Sequence, residues 1–120
     1  MARVLVVDDV PDLREVLSVA LFDAGFDVAT VSSVSEAKDF LMLEGHTWVV
    51  LLDLHLGDVP GQALVGWLRS HPRHRANPVI VMTADSRVKA VPGTLALLHK
   101  PLDIAELSQV LEQHYARLAN

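Results

Sequence analysis

The chain has 120 residues, 51% of them hydrophobic and 5% aromatic, and ten basic against fifteen acidic residues give a net charge of -5. That length and apolar content predict one compact domain over residues 1–120, with a core drawn mainly from Val, Leu and Ala. The acidic balance argues against direct nucleic-acid contact, and the lack of cysteine excludes a disulfide frame or a Cys-ligated metal. No uncharged run reaches the roughly 18 residues of a membrane span, so a cytoplasmic protein is expected.

Arg3-Val4-Leu5-Val6-Val7 predicts a first strand, apolar on both faces and closed by Asp8-Asp9. Val10-Pro11-Asp12 opens a helix with Leu13, Val16, Leu17, Ala20, Leu21 and Ala24 on one face, and Gly25 supplies a left-handed cap. Phe26 to Val31 reads as a second strand. Ser33-Val34-Ser35-Glu36 has capping-box spacing and starts a helix that buries Ala37, Phe40 and Leu41 and stops near Gly45. The run from Trp48 to Leu52 is a strand buried on both faces, with Asp53 at its carboxyl end.

Gly57-Asp58-Val59-Pro60-Gly61 predicts a loop, followed by a short helix that points Leu64, Val65 and Leu68 inward and is broken at His71-Pro72. Arg69 to Arg75 is the one clustered basic stretch, and His71-Pro72-Arg73-His74-Arg75 within it reads as a solvated loop between a helix and a strand. Pro78 to Met82 is a fourth strand, ending in Thr83-Ala84-Asp85, and Leu95 to His99 is a fifth, ending in Lys100-Pro101. Asp103 and Glu106 cap a last helix that turns Leu107, Val110, Leu111 and Leu118 to the core.

Strictly alternating strands and helices predict an α/β fold, a doubly wound five-stranded parallel sheet with helices on both faces. In the strand order 2-1-3-4-5, strands one and three meet at the switch point, and Asp8, Asp9 and Asp53 converge there. Taken singly, Asp8 and Asp9 read as capping residues, Asp53 and Thr83 as turn residues, and Lys100 as an exposed charge. Together they fall at the ends of parallel strands on one edge of the sheet. Three carboxylates there repel by roughly 4 kcal/mol per pair at 4 Å in an effective dielectric of about 20, which calls for a cation. An all-oxygen set suits Mg²⁺, with the His55 backbone carbonyl as a further ligand and its imidazole turned to solvent. Neighbouring strand residues point to opposite faces, so Asp8 and Asp9 can both be ligands only where the chain has curled into its loop. Thr83 offers a hydroxyl and Lys100 an ammonium charge, the donors a phosphoryl group needs.

The set Asp8-Asp9, Asp53, Thr83-Ala84 and Lys100-Pro101 resembles the receiver domain of two-component response regulators, whose fold is flavodoxin-like (CheY-like), over essentially the whole chain. The resemblance implies that the acidic pair binds Mg²⁺ and that Asp53 accepts a phosphoryl group from a histidine kinase or phosphotransfer protein. It further implies that Thr83 and Ala84 form the phosphate-binding switch and that Lys100 pairs with the phosphate, in a Lys-Pro bond that is often cis in the family. Such a domain catalyses its own modification and slow dephosphorylation and is not a conventional enzyme. Its output goes to an effector domain or protein, and His55 and Asp85 occupy positions that influence how fast the phosphate is lost.

The sequence departs from that pattern in two places. The stretch between Thr83 and Lys100 is short, and Pro92-Gly93 cannot continue a helix, so the fourth helix is expected to be degenerate and Asp85 to Gly93 a turn or loop. Leu97 stands where the family usually carries a switching aromatic. Losing the helix is expected to uncover apolar sheet near Val81, Leu95 and Leu97, covered by a second copy in a homodimer or by a rearranged loop. Leu56-Gly57 replaces the usual Met-Pro. Two other readings stay open: a receiver-like interaction module that signals without phosphate, and a haloacid-dehalogenase-type phosphatase, which wants an Asp where His55 stands. A flavin site lacks its phosphate-cradling loop after the first strand.

Overall fold

The computed structural model describes residues 2–57 and 59–119. In chain order the elements are β1 (Arg3–Val7), α1 (Pro11–Asp23), β2 (Asp27–Val31), α2 (Val34–Leu43), β3 (Val49–Asp53), β4 (His55–Leu56), β5 (Val59–Pro60), α3 (Gln62–Ser70), β6 (Val79–Thr83), β7 (Ala96–His99) and α4 (Ile104–Ala119). The apolar runs pair in parallel as β2-β1-β3-β6-β7, which is the order 2-1-3-4-5 when the five sheet strands are counted alone. β4 and β5 form a separate antiparallel ribbon where a loop was expected, pairing His55 with Pro60 and Leu56 with Val59; Asp58 lies outside the described residues.

Strand alternation sorts the core into two layers. Leu5, Val7, Val50, Leu52, Val79 and Val81 pack with Val34, Ala37 and Leu41 of α2 and Leu64, Val65 and Leu68 of α3. Val4, Val6, Val49, Leu51, Ile80 and Met82 pack with Leu17 and Leu21 of α1 and Leu107 and Leu111 of α4. All of β3 is buried. At about 25 cal/mol per Å² of apolar area removed from water, this doubly covered strand is a main source of the fold's stability, and it is the strand that carries Asp53.

The expected caps form. The Ser33 side chain accepts the Glu36 amide at 3.1 Å, while the Glu36 carboxylate takes the Ser32 hydroxyl instead of closing the box on Ser33. Asp103 Oδ1 accepts the Ala105 and Glu106 amides, and Gly25 is left-handed with φ 96°. Three outward residues correct the helix faces read from spacing: Val16 is 59% exposed, Leu118 is 68% exposed, and Ala24 is exposed just past the end of α1. Val16 lies next to buried Leu17 in α1, and Leu118 lies in the last turn of α4.

No helix lies between Thr83 and Ala96, as the shortened spacing implied, and of the two covers expected for the sheet the rearranged loop is the one the structure shows. Val81 is fully buried. Val88 and Val91 of the connecting loop, with Leu97, pack onto the α2/α3-side core, so the loop's own valines stand in for a helix face; Leu95 packs half-buried on the opposite layer. The loop is fastened by Arg69 Nε to the Gly93 carbonyl (2.9 Å), by the Thr94 hydroxyl to the Val91 carbonyl (2.6 Å) and by His99 Nε2 to the Val88 carbonyl (2.9 Å). A left-handed Gly93 (φ 83°) makes the turn that brings it against α3.

His71, Pro72, Arg73 and Arg75 are exposed, as a solvated loop implies, but His74 is not. His74 is buried and stacks on Trp67 with ring centroids 4.8 Å apart, and the Arg69 guanidinium donates to the Arg75 and Asn77 carbonyls. Buried Asn77 then accepts the Trp48 amide at 2.8 Å, tying this turn to the entry of β3. Among the described residues no helix is long and apolar enough to cross a membrane.

Candidate functional site

Sheet register assembles the site. Val7 lies opposite Leu52, Asp53 opposite Met82, and Thr83 opposite His99, so Asp8, Asp53, Thr83 and Lys100 arrive at one edge. The same alternation that sorts the core also sorts these side chains. Asp8, Asp53 and Lys100 continue the α1/α4-side positions of their strands, and Thr83 continues the α2/α3-side positions of β6.

Asp8 is fully buried and Asp53 nearly so, while Asp9 is exposed. One carboxylate oxygen from each lies within 4.8 Å of the others. The chain has therefore curled beyond β1 before Asp9. The Val10 amide donates to Asp8 Oδ1 at 2.8 Å, and Arg14 Nη1 donates to the Asp8 carbonyl at 2.7 Å, holding the curl from the first turns of α1. Lys100 Nζ donates to Asp8 Oδ2 at 3.1 Å and to Asp53 Oδ2 at 3.0 Å. Burial alone would lower the Lys100 pKa, but its hydrogen bonds to Asp53 and Asp8 and their charges outweigh that and raise it above the ordinary lysine value. The ammonium stays charged, and the Lys100–Pro101 bond that carries it is cis.

One ammonium against three carboxylates leaves the corner net negative. An all-oxygen donor set of this charge fits a hard divalent cation such as Mg²⁺, which takes one or two protein carboxylates and keeps several waters.

The other Asp53 oxygen, Oδ1, accepts the His55 amide at 2.9 Å. Both oxygens of Asp53 are thus held, one by a backbone donor and one by a cation. The turn between β3 and the ribbon is pressed close by Gly61, where a Cβ would lie 2.5 Å from the Asp53 carbonyl oxygen and 2.9 Å from Leu54 Cα. Only glycine allows that approach without displacing the backbone beside Asp53. Thr83 is fully buried, and its Oγ1 accepts the Asp85 amide at 3.0 Å and lies 3.3 Å from His55 Nε2. The His55 imidazole, expected to face solvent, reaches the Thr83 hydroxyl from an exposed position. Ala84 is exposed just past Thr83. Asp85 pairs with Arg87 at 3.0 Å, and these hydrogen bonds hold its carboxyl down to about 2.

Every residue singled out from the sequence as a carrier of chemistry therefore lies at this edge. Spacing did not point to Arg14, Gly61 or the His55 imidazole. A glycine in a Gly/Pro loop and an arginine on an amphipathic helix carry no distinguishing local signal, and the contact of His55 with Thr83 spans 28 residues of sequence.

The fold and the acidic corner define a doubly wound, CheY-like receiver. Residues 4–112 match the family model of the response regulator receiver domain, and the chain belongs to that family. It is 32% identical over 114 residues to the response regulator protein PilR of Pseudomonas aeruginosa, covering 91% of this chain and 25% of that protein. The transcriptional regulatory protein GltR of the same organism is 39% identical over 83 residues, covering 69% of this chain and 34% of that protein. The chain thus spans about a quarter to a third of the length of these relatives. Among solved structures, a CheY-like receiver domain from Methylobacillus flagellatus superposes with a TM-score of 0.84 at 27% identity, covering 94% of this chain and 98% of that one. The response regulator TrrA of Thermotoga maritima, in complex with Mg²⁺-BeF, superposes with a TM-score of 0.83 at 25% identity, covering 94% of this chain and 98% of that one.

Proposed function

We propose that the chain is a phosphoacceptor receiver domain of a two-component system, taking a phosphoryl group onto Asp53 in a Mg²⁺-dependent reaction. The observation that carries the reading is the double hold on Asp53: Oδ1 on the His55 amide and Oδ2 on Lys100, beside the carboxylates of Asp8 and Asp9. A carboxylate fixed at both oxygens within a cation-seeking cluster is oriented to act as a nucleophile, and its orientation needs no further ordering when a donor arrives.

Asp8, Asp9 and Asp53, with the His55 backbone carbonyl, are the groups to hold Mg²⁺. When bound, the ion neutralises charge that builds on the transferring phosphoryl oxygens. An Asp53 carboxylate oxygen forms the new bond to phosphorus as the bond from phosphorus to the donor breaks, and the leaving group departs with that electron pair. The product is an acyl phosphate. Lys100, already charged and within reach of Asp53, pairs with a phosphoryl oxygen, and Thr83 and the backbone at Ala84 donate to others.

A histidine kinase or a phosphotransfer protein supplies the phosphoryl group, and an effector domain or protein reads the result, with no nucleic acid or membrane contacted directly. Such a chain works in the cytoplasm. A homodimer through bare sheet loses its motive, since Val81 is fully buried and Val88 and Val91 pack onto the layer that contains it. The phosphate-independent module leaves unexplained why Asp8, Asp53 and Lys100 share one bonded cluster.

Intact-mass spectrometry after incubation with Mg²⁺ and acetyl phosphate tests the reading. One Mg²⁺-dependent phosphate adduct is expected, absent from Asp53→Asn. No adduct under conditions that preserve acyl phosphates would reject it.

A further inference from the structure

His55 is joined to both halves of the site at once. Its backbone amide donates to Asp53 Oδ1 at 2.9 Å, and its Nε2 lies 3.3 Å from Thr83 Oγ1. The residue is fixed in place by its pairing with Pro60 across the β4–β5 ribbon. Thr83 Oγ1 already accepts the Asp85 amide at 3.0 Å. A hydroxyl has one proton and two acceptor sites, and in the tautomer with its proton on Nδ1 the imidazole accepts that single proton at Nε2, the one group Thr83 could donate to a phosphoryl oxygen. The Lys100 amide donates to the Thr83 carbonyl at 2.8 Å, but among the described residues no hydrogen bond joins the Thr83 hydroxyl to Asp53 or Lys100, and strand alternation sets Thr83 on the α2/α3 side while those two continue the α1/α4 side.

Resting on the receiver reading above, we propose that His55 is a positioning residue that latches Thr83 in the unphosphorylated state, so that a phosphoryl group on Asp53 gains the Thr83 hydroxyl only by displacing the His55 imidazole. The contact is a side-chain hydrogen bond with one partner exposed and the other buried. Breaking a bond of this kind weakens the competing ligand by about threefold to tenfold. The cost falls on the switch and leaves the acidic corner alone, since the His55 imidazole touches none of the three carboxylates in the described contacts. Phosphoryl occupancy and movement of Thr83 are thereby coupled through one exposed side chain.

The test uses the full chain and beryllofluoride, a phosphoryl mimic, titrated calorimetrically at saturating Mg²⁺ into the unaltered protein, His55→Ala, Thr83→Ala and the double variant. His55→Ala is expected to tighten beryllofluoride binding by about threefold to tenfold, and to have no effect in the Thr83→Ala background. His55→Gln restores a hydrogen-bonding group at the same place and is expected to return affinity towards the unaltered value. A purely structural role for His55 would not produce a gain in affinity, its loss in the Thr83→Ala background, or rescue by Gln. Weaker or unchanged binding in His55→Ala, or the same change with Thr83 removed, overturns the latch while leaving the receiver reading standing. Failure of the unaltered chain to bind beryllofluoride with Mg²⁺ rejects the receiver reading, and the latch with it.

Discussion

Replacing Asp9 by Asn separates the electrostatic cost of the acidic corner from its use. Oxygens of Asp8, Asp9 and Asp53 lie within 4.8 Å of one another, a distance at which two unit charges repel by about 0.9 kcal/mol in bulk water and about 3.5 kcal/mol in an effective dielectric near 20. Asp9 is exposed and makes no hydrogen bond or ion pair among the described residues, so the value for water is the better guide. Its two repulsions, against Asp8 and Asp53, sum to about 2 kcal/mol, and attraction to Lys100, which sits on both of those carboxylates, offsets part of that. Asp9→Asn is therefore expected to stabilise the metal-free fold by about 1 kcal/mol and to raise Tm by about 4 °C. Mg²⁺ acts in the opposite direction. An ion that binds only the folded chain stabilises it by about 2.7 kcal/mol at a hundred times its Kd, and the variant has lost a charged ligand. Thermal melts in chelator and in saturating Mg²⁺ should reverse the order of the two proteins. A lower Tm for the variant in chelator, or equal gains from Mg²⁺ in both, would refute the assignment of Asp9 to a shared cation site.

Gly61→Ala forces a Cβ to within 2.5 Å of the Asp53 carbonyl oxygen, so it should cost about 1–3 kcal/mol in denaturant unfolding and slow acetyl-phosphate labelling of Asp53 at least tenfold. Equal labelling rates would show that the ribbon does not position Asp53. Arg69→Ala removes the donors to the Gly93, Arg75 and Asn77 carbonyls and should lower stability by about 1–2 kcal/mol, with limited proteolysis now cutting between Val88 and Gly93; protection equal to the unaltered chain would contradict the strap. His74 is held below the ordinary histidine pKa, first by burial and then by the charges of Arg73 and His71. The unfolded chain therefore takes up the proton first, so stability is full above about pH 6.5 and falls as pH drops below it, and a His74→Phe variant should flatten that slope in melts from pH 7.5 to 5.

Much of this was legible in the sequence because β1, β3 and β6 are apolar on both faces, a pattern that belongs to the interior of a parallel sheet, and each run ends in a polar residue at its carboxyl edge. Strand order and register then follow from topology, and the convergence of Asp8, Asp9, Asp53, Thr83 and Lys100 follows from register. Spacing did not reveal where polar side chains go once strands are placed. His74 looked like a solvated residue between a helix and a strand, and nothing in the sequence marked Asn77. Their burial depends on Trp67 covering one and on the Trp48 amide needing the other, contacts across up to 29 residues. Whether the loop after Thr83 or a second copy covers the sheet near Val81 was not legible, because the loop's valines, two in a short irregular stretch, have no period to mark them as core.

That loop bears on how far a change at Asp53 can travel. On the receiver reading, a phosphoryl group on Asp53 adds about -1.5 to -2 charges where Lys100 is already shared between two carboxylates and the His55 amide is already bonded to Asp53, so the new charge must draw further donors, which that reading assigns to Thr83 and the amides after it. Movement of Thr83 pulls on Asp85, whose amide it accepts, and through Asp85 on Arg87, to which Asp85 is paired. The next residue, Val88, is packed on the core and bonded through its carbonyl to His99 on β7. A helix here would transmit such a pull as a rigid body. An irregular segment held by a few side-chain bonds has low local stability and takes up the displacement within itself. With Leu97 in place of a swinging ring, the path from Asp53 runs through Thr83 into residues 84–94 and stops at the Arg69 strap. On the receiver reading proposed above, the surface expected to differ between the two states is this loop together with the displaced His55 imidazole, and a partner that senses phosphorylation would read it there.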